Sequence, residues 1–490
     1  MFEVDDLPTV EAVMSGSDAD LVDAVCAAAR FESATMARKL AAVNELYCRR
    51  LAQQPPDEDE LRGLWQIDIW DQVAAELSAA LRITRGRASG LLRVATALAE
   101  RLPRVAAVFA AGDTSYRVVD AIVSRTNLID SDEDAARVDA LLAKRVGRWN
   151  KYSDAKLNDH IDYWVLTVDR LAKRVPKKAA QERCVGVGRD QDGLAELWGT
   201  LRAPDALAID ARLNELADTV CPNDPRTKEQ RRADATGALA AGSSRLECEC
   251  GQPDCPAAGD DAATGTNVVI HLLAQADAQE KAVGPGYIPG FGFLDEETLR
   301  DLTRKASTRF RTLTHPGEVA AEAGYRPSAA LAAFVRYRDL TCRFPGCDAP
   351  VDVCDIDHTA PYPLGPTHAS NCKLYCRHHH LLKTFVVGPG GWRDEQLPDG
   401  SIRWTAPTGH VYTTEPLGAL LFPQLAAPTG KLVIPKAVPV AAGRGLMMPT
   451  RQRTREQDRA ARKAYERGIN YQLLLEERRR YDPDLDPPPF

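Results

Sequence analysis

The sequence predicts an α+β protein, mostly helical in its N-terminal region, with a small metal-stabilised module near its C-terminus. Three observations carry this. From about residue 18 to 174, apolar side chains recur at helical spacing, as in Leu21-Val25-Ala28 and Leu91-Val94-Ala95-Leu98. Short apolar runs flanked by Gly and Asp follow in the middle third, where strands mix with helices. Five of the twelve Cys and five of the nine His then fall between residues 342 and 380, the densest cluster of metal-ligating side chains in the chain.

The helical region, 1–180, is punctuated where turns are needed: Gln53-Gln54-Pro55-Pro56, Pro103, Gly112-Asp113, and the acidic stretch Asp130 to Asp134. Asp154 is expected to cap a helix running through Trp164. A second region, 181–327, opens with a hairpin. Its strands are Cys184-Val185-Gly186-Val187-Gly188 and Leu194-Ala195-Glu196-Leu197-Trp198, and its turn is Arg189-Asp190-Gln191-Asp192-Gly193. A helix from Pro204 to Val220 and a strand from Val268 to Leu273 follow. The third region, 328–422, starts with a short helix over Ala329 to Arg338, enters the Cys/His cluster and ends in a Gly/Pro-rich, Trp-bearing hairpin. Residues 423–490 read as a linker and a basic tail, because Arg451 to Arg480 holds ten basic and five acidic residues.

Composition narrows the classes. The 490 residues are 44% apolar and 27% charged, which excludes fibrous and low-complexity chains and allows about three domains. With 62 basic and 69 acidic side chains the net charge is −7, so a nucleic-acid partner must be held by a local patch. No apolar run is long enough to span a bilayer, and the acidic N-terminus lacks signal-peptide character, so a cytoplasmic protein with no membrane partner is expected. A reducing compartment leaves its thiols available for metal.

The cluster has the parts of a metal site. Cys342 and Cys347 supply two thiolates across a tight turn, and Cys376 and His379 supply a thiolate and an imidazole one helical turn apart. Two close pairs give the four N/S ligands of a tetrahedral structural Zn²⁺. Asp355, Asp357, His358, Asn371, His380 and Lys383 are left over. A spare carboxylate and imidazole can bind a second, divalent cation, and a further His can deprotonate water.

In this order, Cys-x4-Cys, Asp-His, Asn and Cys-x2-His-His-x2-Lys resemble an HNH endonuclease, a zinc-stabilised ββα-metal module, over about residues 328 to 390. The resemblance implies zinc ligation by Cys342, Cys347, Cys376 and His379. It implies His358 as general base, Asn371 as the residue that orients the hairpin, and Asp357 with His380 as ligands of a catalytic Mg²⁺ or Mn²⁺. Products would carry 5′-phosphate and 3′-hydroxyl ends. One condition attaches: neighbours on a regular strand face opposite ways, so the strand must end, twist or bulge at Asp357-His358 if both serve one site.

Asp355 reads either as support for the metal site or as a solvent-facing carboxylate. Cys354 reads as strand core, His368 as loop, and Cys372 and Leu374 as a core exchange relative to related sequences. Arg377, Lys383 and His378 are candidate nucleic-acid contacts, with His378 alternatively an exposed helix residue or a swap for His379 on zinc. Cys248, Cys250 and Cys255 suggest another metal knuckle whose fourth ligand could be Cys184, Cys221 or His271, the alternative being a surface loop of free thiols. The basic run Arg226, Lys228, Arg231 and Arg232 reads as a solvated helix face or as phosphate contacts.

Beyond the module, the chain is similar to the actinobacterial 13E12-repeat family, in which a domain of unknown function 222 precedes the nuclease. The residues that carry this are Asp224-Pro225-Arg226 with Arg231-Arg232-Ala233-Asp234, Pro289-Gly290-Phe291-Gly292, Leu381-Leu382-Lys383-Thr384-Phe385, Gly390-Gly391-Trp392 and Trp404 to His410. The expected function is metal-dependent hydrolysis of DNA, with a homo-oligomer through the helical region among the admissible assemblies. The alternative is a non-catalytic, zinc-stabilised DNA-binding protein related to a mobile element.

Overall fold

A computed structural model describes residues 10–54, 59–173, 183–188, 194–257, 271–276, 282–289, 292–304, 311–317, 320–388, 390–430, 432 and 444–481. The chain is mixed α+β and about half helical. It divides into two compact units, one made of Met1–Val175 with Leu313–Phe490 and the other of Pro176–Thr312.

The first unit begins with helices α1 (Val10–Met14), α2 (Asp18–Ala52), α3 (Asp59–Gly63), α4 (Ile69–Leu81), α5 (Arg85–Glu100), α6 (Pro103–Ala110), α7 (Tyr116–Arg125), α8 (Asp132–Ala143) and α9 (Asp154–Leu166). Local chemistry sets their ends. Ser17 and Asp20 form a reciprocal capping box on α2, the side chains of Asp68, Thr84 and Ser131 cap α4, α5 and α8, and Pro103 opens α6. The expected cap Asp154 is instead the first residue of α9, behind Ser153 in the N-cap position. Burial of Val73, Leu92, Phe109, Val118, Ile122 and Ile161 holds the bundle together.

The second unit holds the antiparallel pair β1 (Cys184–Val187) and β2 (Leu197–Thr200), helices α10 (Ala203–Ala217) and α11 (Lys228–Ala240), a three-stranded antiparallel sheet of β3 (Leu273–Ala276), β4 (Ala282–Ile288) and β5 (Gly292–Leu294), and α12 (Glu296–Arg304). The hairpin turn at residues 189–193, the strand residues Val268, Val269 and Ile270, Gly290 and Phe291, and the Pro55-Pro56 break lie outside the described residues.

The chain then returns to the first unit through α13 (Ala329–Asp339), the antiparallel pair β6 (Cys354–His358) and β7 (Cys372–Cys376), α14 (Arg377–Phe385), a sheet of β8 (Arg393–Gln396), β9 (Ile402–Thr405) and β10 (Val411–Thr414), α15 (Leu417–Leu421) and α16 (Arg455–Tyr481). This region is not packed separately from the bundle. Trp65, Ile67, Ala75 and Ala79 share one core with Phe344, Tyr375, Leu382, Trp392 and Trp404.

The basic segment expected as a tail is also part of the first unit. Lys463 pairs with Asp130 at 3.1 Å, Arg455 bonds Asp68 and Asp71, and Asn470 Nδ2 donates to the carbonyls of Leu171 and Lys173. Acidic groups and a carbonyl of the bundle take up Arg451, Arg455, Lys463 and Arg467, which composition alone cannot reveal.

Candidate functional site

The turn after α13 presents the first pair of thiols. Leu340 takes a left-handed conformation (φ 57°), the chain reverses through Phe344-Pro345-Gly346, and Cys347 N–H donates to Phe344 O at 3.0 Å. Gly346 (φ +78°) lies so close to the bundle that a Cβ there would sit 2.6 Å from the carbonyls of Ser78 and Ile83. Cys376 is the N-cap residue of α14, and His379 lies one turn into that helix.

Together Cys342, Cys347, Cys376 and His379 place one ligand atom each within 4.8 Å of one another. His379 Nδ1 is 3.5 Å from Cys342 Sγ and 3.3 Å from Cys376 Sγ. Ligands at 2.0–2.3 Å around a tetrahedral ion are separated by about 3.3–3.8 Å, so the spacing suits zinc. Phe344 stacks on the His379 ring at 3.9 Å and fixes its plane, and its other nitrogen, Nε2, is buried with no hydrogen-bond partner. Burial holds the Cys342 thiol well above its ordinary range, whereas bonds from the Cys342 and Cys347 thiols hold Cys376 low. A divalent ion would stabilise all three as thiolates. Cys354 stays outside the four and donates to Ala349 O, while Cys372 and Leu374 are both fully buried.

The second constellation lies where α14 crosses the end of the β6–β7 hairpin. His380 is held between two carboxylates, with Nδ1 3.1 Å from Asp355 Oδ2 and Nε2 3.3 Å from Asp357 Oδ1. The other oxygen of Asp357 accepts from Lys383 Nζ at 2.6 Å and Lys373 Nζ at 3.1 Å. Lys373 is fully buried and also bonds Asp394 and Thr359. Burial alone would raise Asp357, but the two ammonium groups and His380 outweigh it and hold its carboxyl well below the usual range. The hydrogen bond to Asp357 raises His380.

His358 has different neighbours. The ladder is regular through Asp357↔Lys373 and His358↔Cys372, with no bulge, and β6 ends only after both residues, at His358. The His358 ring stacks on Tyr325 at 5.3 Å, and its Nε2 lies 2.8 Å from Thr367 Oγ1. That hydroxyl donates its one proton to Gly324 O at 2.6 Å, so His358 Nε2 must be the donor and Nδ1 keeps the ring's lone pair. Burial pushes the His358 pKa down, favouring the neutral ring. The structure therefore pairs Asp357 with His380 directly and leaves the His358 ring outside that pair.

Asn371, fully buried, clamps the loop that follows His358. Its Oδ1 accepts from Ala360 N at 2.8 Å, and its Nδ2 donates to Ala360 O and Pro366 O. Of the candidate nucleic-acid contacts, Arg377 is exposed, with its guanidinium 3.8 Å from Asp355. Lys383 instead points inward to Asp357 and His358 O. His378 is neither exposed nor on the metal cluster: Arg85 Nη1 donates to its Nδ1 at 3.1 Å, and burial pushes it down to about 3. His368 accepts from Ser370 N within its loop. The run Arg226, Lys228, Arg231 and Arg232 is engaged internally, with Asp224, Asp218, Ala217 O and Asp210 among its partners.

Sequence reading missed Lys373, Thr367 and the fully buried Arg338–Asp339–Arg343 triad, whose Asp339 Oδ2 also accepts from Leu374 N. The partners of Lys373 and Thr367, and the backbone groups that the triad bonds, lie on other segments, so spacing does not mark them. A second cluster, Cys221, Cys248, Cys250 and Cys255, also has the arrangement to bind a metal such as zinc. Among the described residues, no helix is long and apolar enough to cross a membrane.

Residues 27–339 match a family model described as "Domain of unknown function (DUF222)". Among similar proteins, all from Mycobacterium tuberculosis, the uncharacterized protein Rv2100 is 43% identical over 518 residues, covering 97% of this chain and 92% of its own. The uncharacterized protein Rv3776 is 44% identical over 495 residues (96% and 93%), and the uncharacterized protein Rv1128c is 24% identical over 399 residues (76% and 84%). No solved structure matches the chain with significance.

Proposed function

Because the chain belongs to the DUF222 family, whose description assigns no activity, we propose its function from the C-terminal site: a metal-dependent DNA endonuclease of HNH type. The observation that carries the reading is the approach of His380 Nε2 to Asp357 Oδ1 at 3.3 Å, with Asp355 behind His380 Nδ1. A carboxylate that orients a ligating imidazole from behind is a recurrent support of metal sites. Mg²⁺ or Mn²⁺ held by Asp357 and His380 would neutralise charge on the scissile phosphate and the leaving oxygen.

His358 Nδ1 takes a proton from water. The resulting hydroxide attacks phosphorus, the P–O3′ bond breaks, and the leaving 3′-oxygen takes a proton from solvent water, giving 5′-phosphate and 3′-hydroxyl ends. Thr367 keeps His358 in the tautomer with Nδ1 unprotonated, and Asn371 fixes the loop that carries the chain away from the base. Arg377, exposed on α14, is suited to a backbone phosphate. Lys383 acts from inside, holding Asp357.

One observation favours the alternative, a non-catalytic zinc-stabilised DNA-binding protein related to a mobile element: Lys373 and Lys383 already occupy one Asp357 oxygen. The test is incubation of supercoiled plasmid with purified protein, with and without Mg²⁺ or Mn²⁺, followed by end-group analysis. Metal-dependent cuts with 5′-phosphate ends are expected. Retention of DNA without cleavage under every divalent ion would favour the alternative.

A further inference from the structure

We infer that Cys221, Cys248, Cys250 and Cys255 bind a second structural zinc ion, which staples the 176–312 unit independently of the C-terminal site. The spacing predicts three of these thiols as ligands and leaves the fourth open among Cys184, Cys221 and His271. Cys184 is exposed on β1, whereas Cys221 follows α10 and brings its sulfur to the other three, so that all four lie within 4.8 Å of one another. The sulfurs of Cys221 and Cys248 stand 3.5 Å apart, a non-bonded distance that suits two ligands of one tetrahedral ion.

Gly251, with φ +67°, supplies the left-handed step that lets the chain fold back around Cys250. Cys221 and Cys255 are buried, so four uncompensated thiolates would be costly there and a divalent cation is the group that offsets them. Four sulfurs in tetrahedral reach select zinc or iron among common metals.

The motif Asp224-Pro225-Arg226 gains a role from this site. Asp224 Oδ2 accepts from Glu249 N at 2.9 Å, between the two thiols of the Cys-x-Cys step, and Arg226 Nη2 donates to Glu247 O at 2.7 Å. Leu246 N–H closes the same seam on Thr219 Oγ1 at 2.8 Å. The two segments that carry the ligands are thus stitched together beside the metal position. The unit needs such a staple, because its buried apolar side chains are few among the described residues: Leu216, Ala217, Ala235, Leu246 and Leu299 are representative.

The test uses the full-length protein. Zinc content by mass spectrometry is expected to be two per chain, falling to one in Cys250→Ser and to one in Cys347→Ala. On the unaltered protein, alkylation mapping should find Cys221, Cys248, Cys250 and Cys255 protected until a chelator is added, while Cys26, Cys48 and Cys184, all exposed, react at once. Protection of the four thiols keeps the inference testable if Cys250→Ser fails to fold. A single zinc unaffected by Cys250→Ser, immediate alkylation of the four thiols in zinc-loaded protein, a disulfide among them, or iron in place of zinc would each overturn it.

Discussion

His380 Nδ1 lies 3.1 Å from Asp355 while its Nε2 lies 3.3 Å from Asp357, so one imidazole bridges two carboxylates on alternate residues of a single strand. Residues two apart on a strand share a face, which is why both meet the same helix. On the proposed reading Asp357 shares a cation with His380, and Asp355 orients the ring. His380→Ala should therefore lower plasmid cleavage by about 10²-fold or more while leaving zinc content unchanged. Asp355→Asn should cost about 10–100-fold. Equal cleavage by both variants and the unaltered protein would remove the pair from the mechanism.

Thr367 should matter through His358 alone. Without its hydroxyl, the imidazole can carry its proton on Nδ1 and lose the base. Thr367→Val is expected to lower kcat by about 10-fold or more at unchanged KM, with Thr367→Ser restoring most of it. The loss should remain below that of His358→Ala, for which removal of a general base predicts about 10²–10⁴-fold. An unchanged rate in Thr367→Val would mean that the tautomer is not held by this contact.

The Arg338–Asp339–Arg343 triad should affect stability. Asp339→Asn leaves two buried guanidinium groups short of their counter-charge, a change that typically costs about 3–5 kcal/mol. Denaturant unfolding of the zinc-loaded protein reads it. A loss below about 1 kcal/mol would show that backbone carbonyls alone satisfy both arginines.

Asp71 sets a pH dependence in the bundle. Burial, with Asp68 beside it, raises its carboxyl to about 6. Between the unfolded value near 3.8 and about 6, the folded chain keeps a proton that the unfolded chain has released. This contribution is fully present below 3.8 and is lost as pH rises through 6, at up to about 1.4 kcal/mol per pH unit. Asp71→Asn should flatten that part of the stability profile; a profile identical to the unaltered protein would contradict the assignment.

The two pairs of candidate metal ligands at Cys342–Cys347 and Cys376–His379 are legible because each pair is local, and the helix and turn that bring its members together leave a spacing in the sequence. The helix breaks at Pro103, Gly112-Asp113 and Asp130–Asp134 were legible for the same reason. Cys221 was only one of three options, since its place beside Cys248 depends on how α10 and α11 pack. Lys373 reads as an ordinary strand lysine until β6 sets Asp357 opposite it. Likewise, the basic residues of α16 resemble a solvated tail until Asp68, Asp71 and Asp130 are seen across from them. The shared core of Trp65 with Trp404 joins residues more than 300 positions apart, and no local pattern encodes that.

The most direct measurement is nicking of supercoiled plasmid in Mg²⁺ or Mn²⁺ by the unaltered protein and by His358→Ala, with zinc content determined for both. Cleavage by the first, its loss in the second and equal zinc in the two is the expected result. Equal cleavage by both proteins would contradict His358 as the base, and absence of cleavage by the unaltered protein with zinc bound and DNA retained would contradict the endonuclease itself.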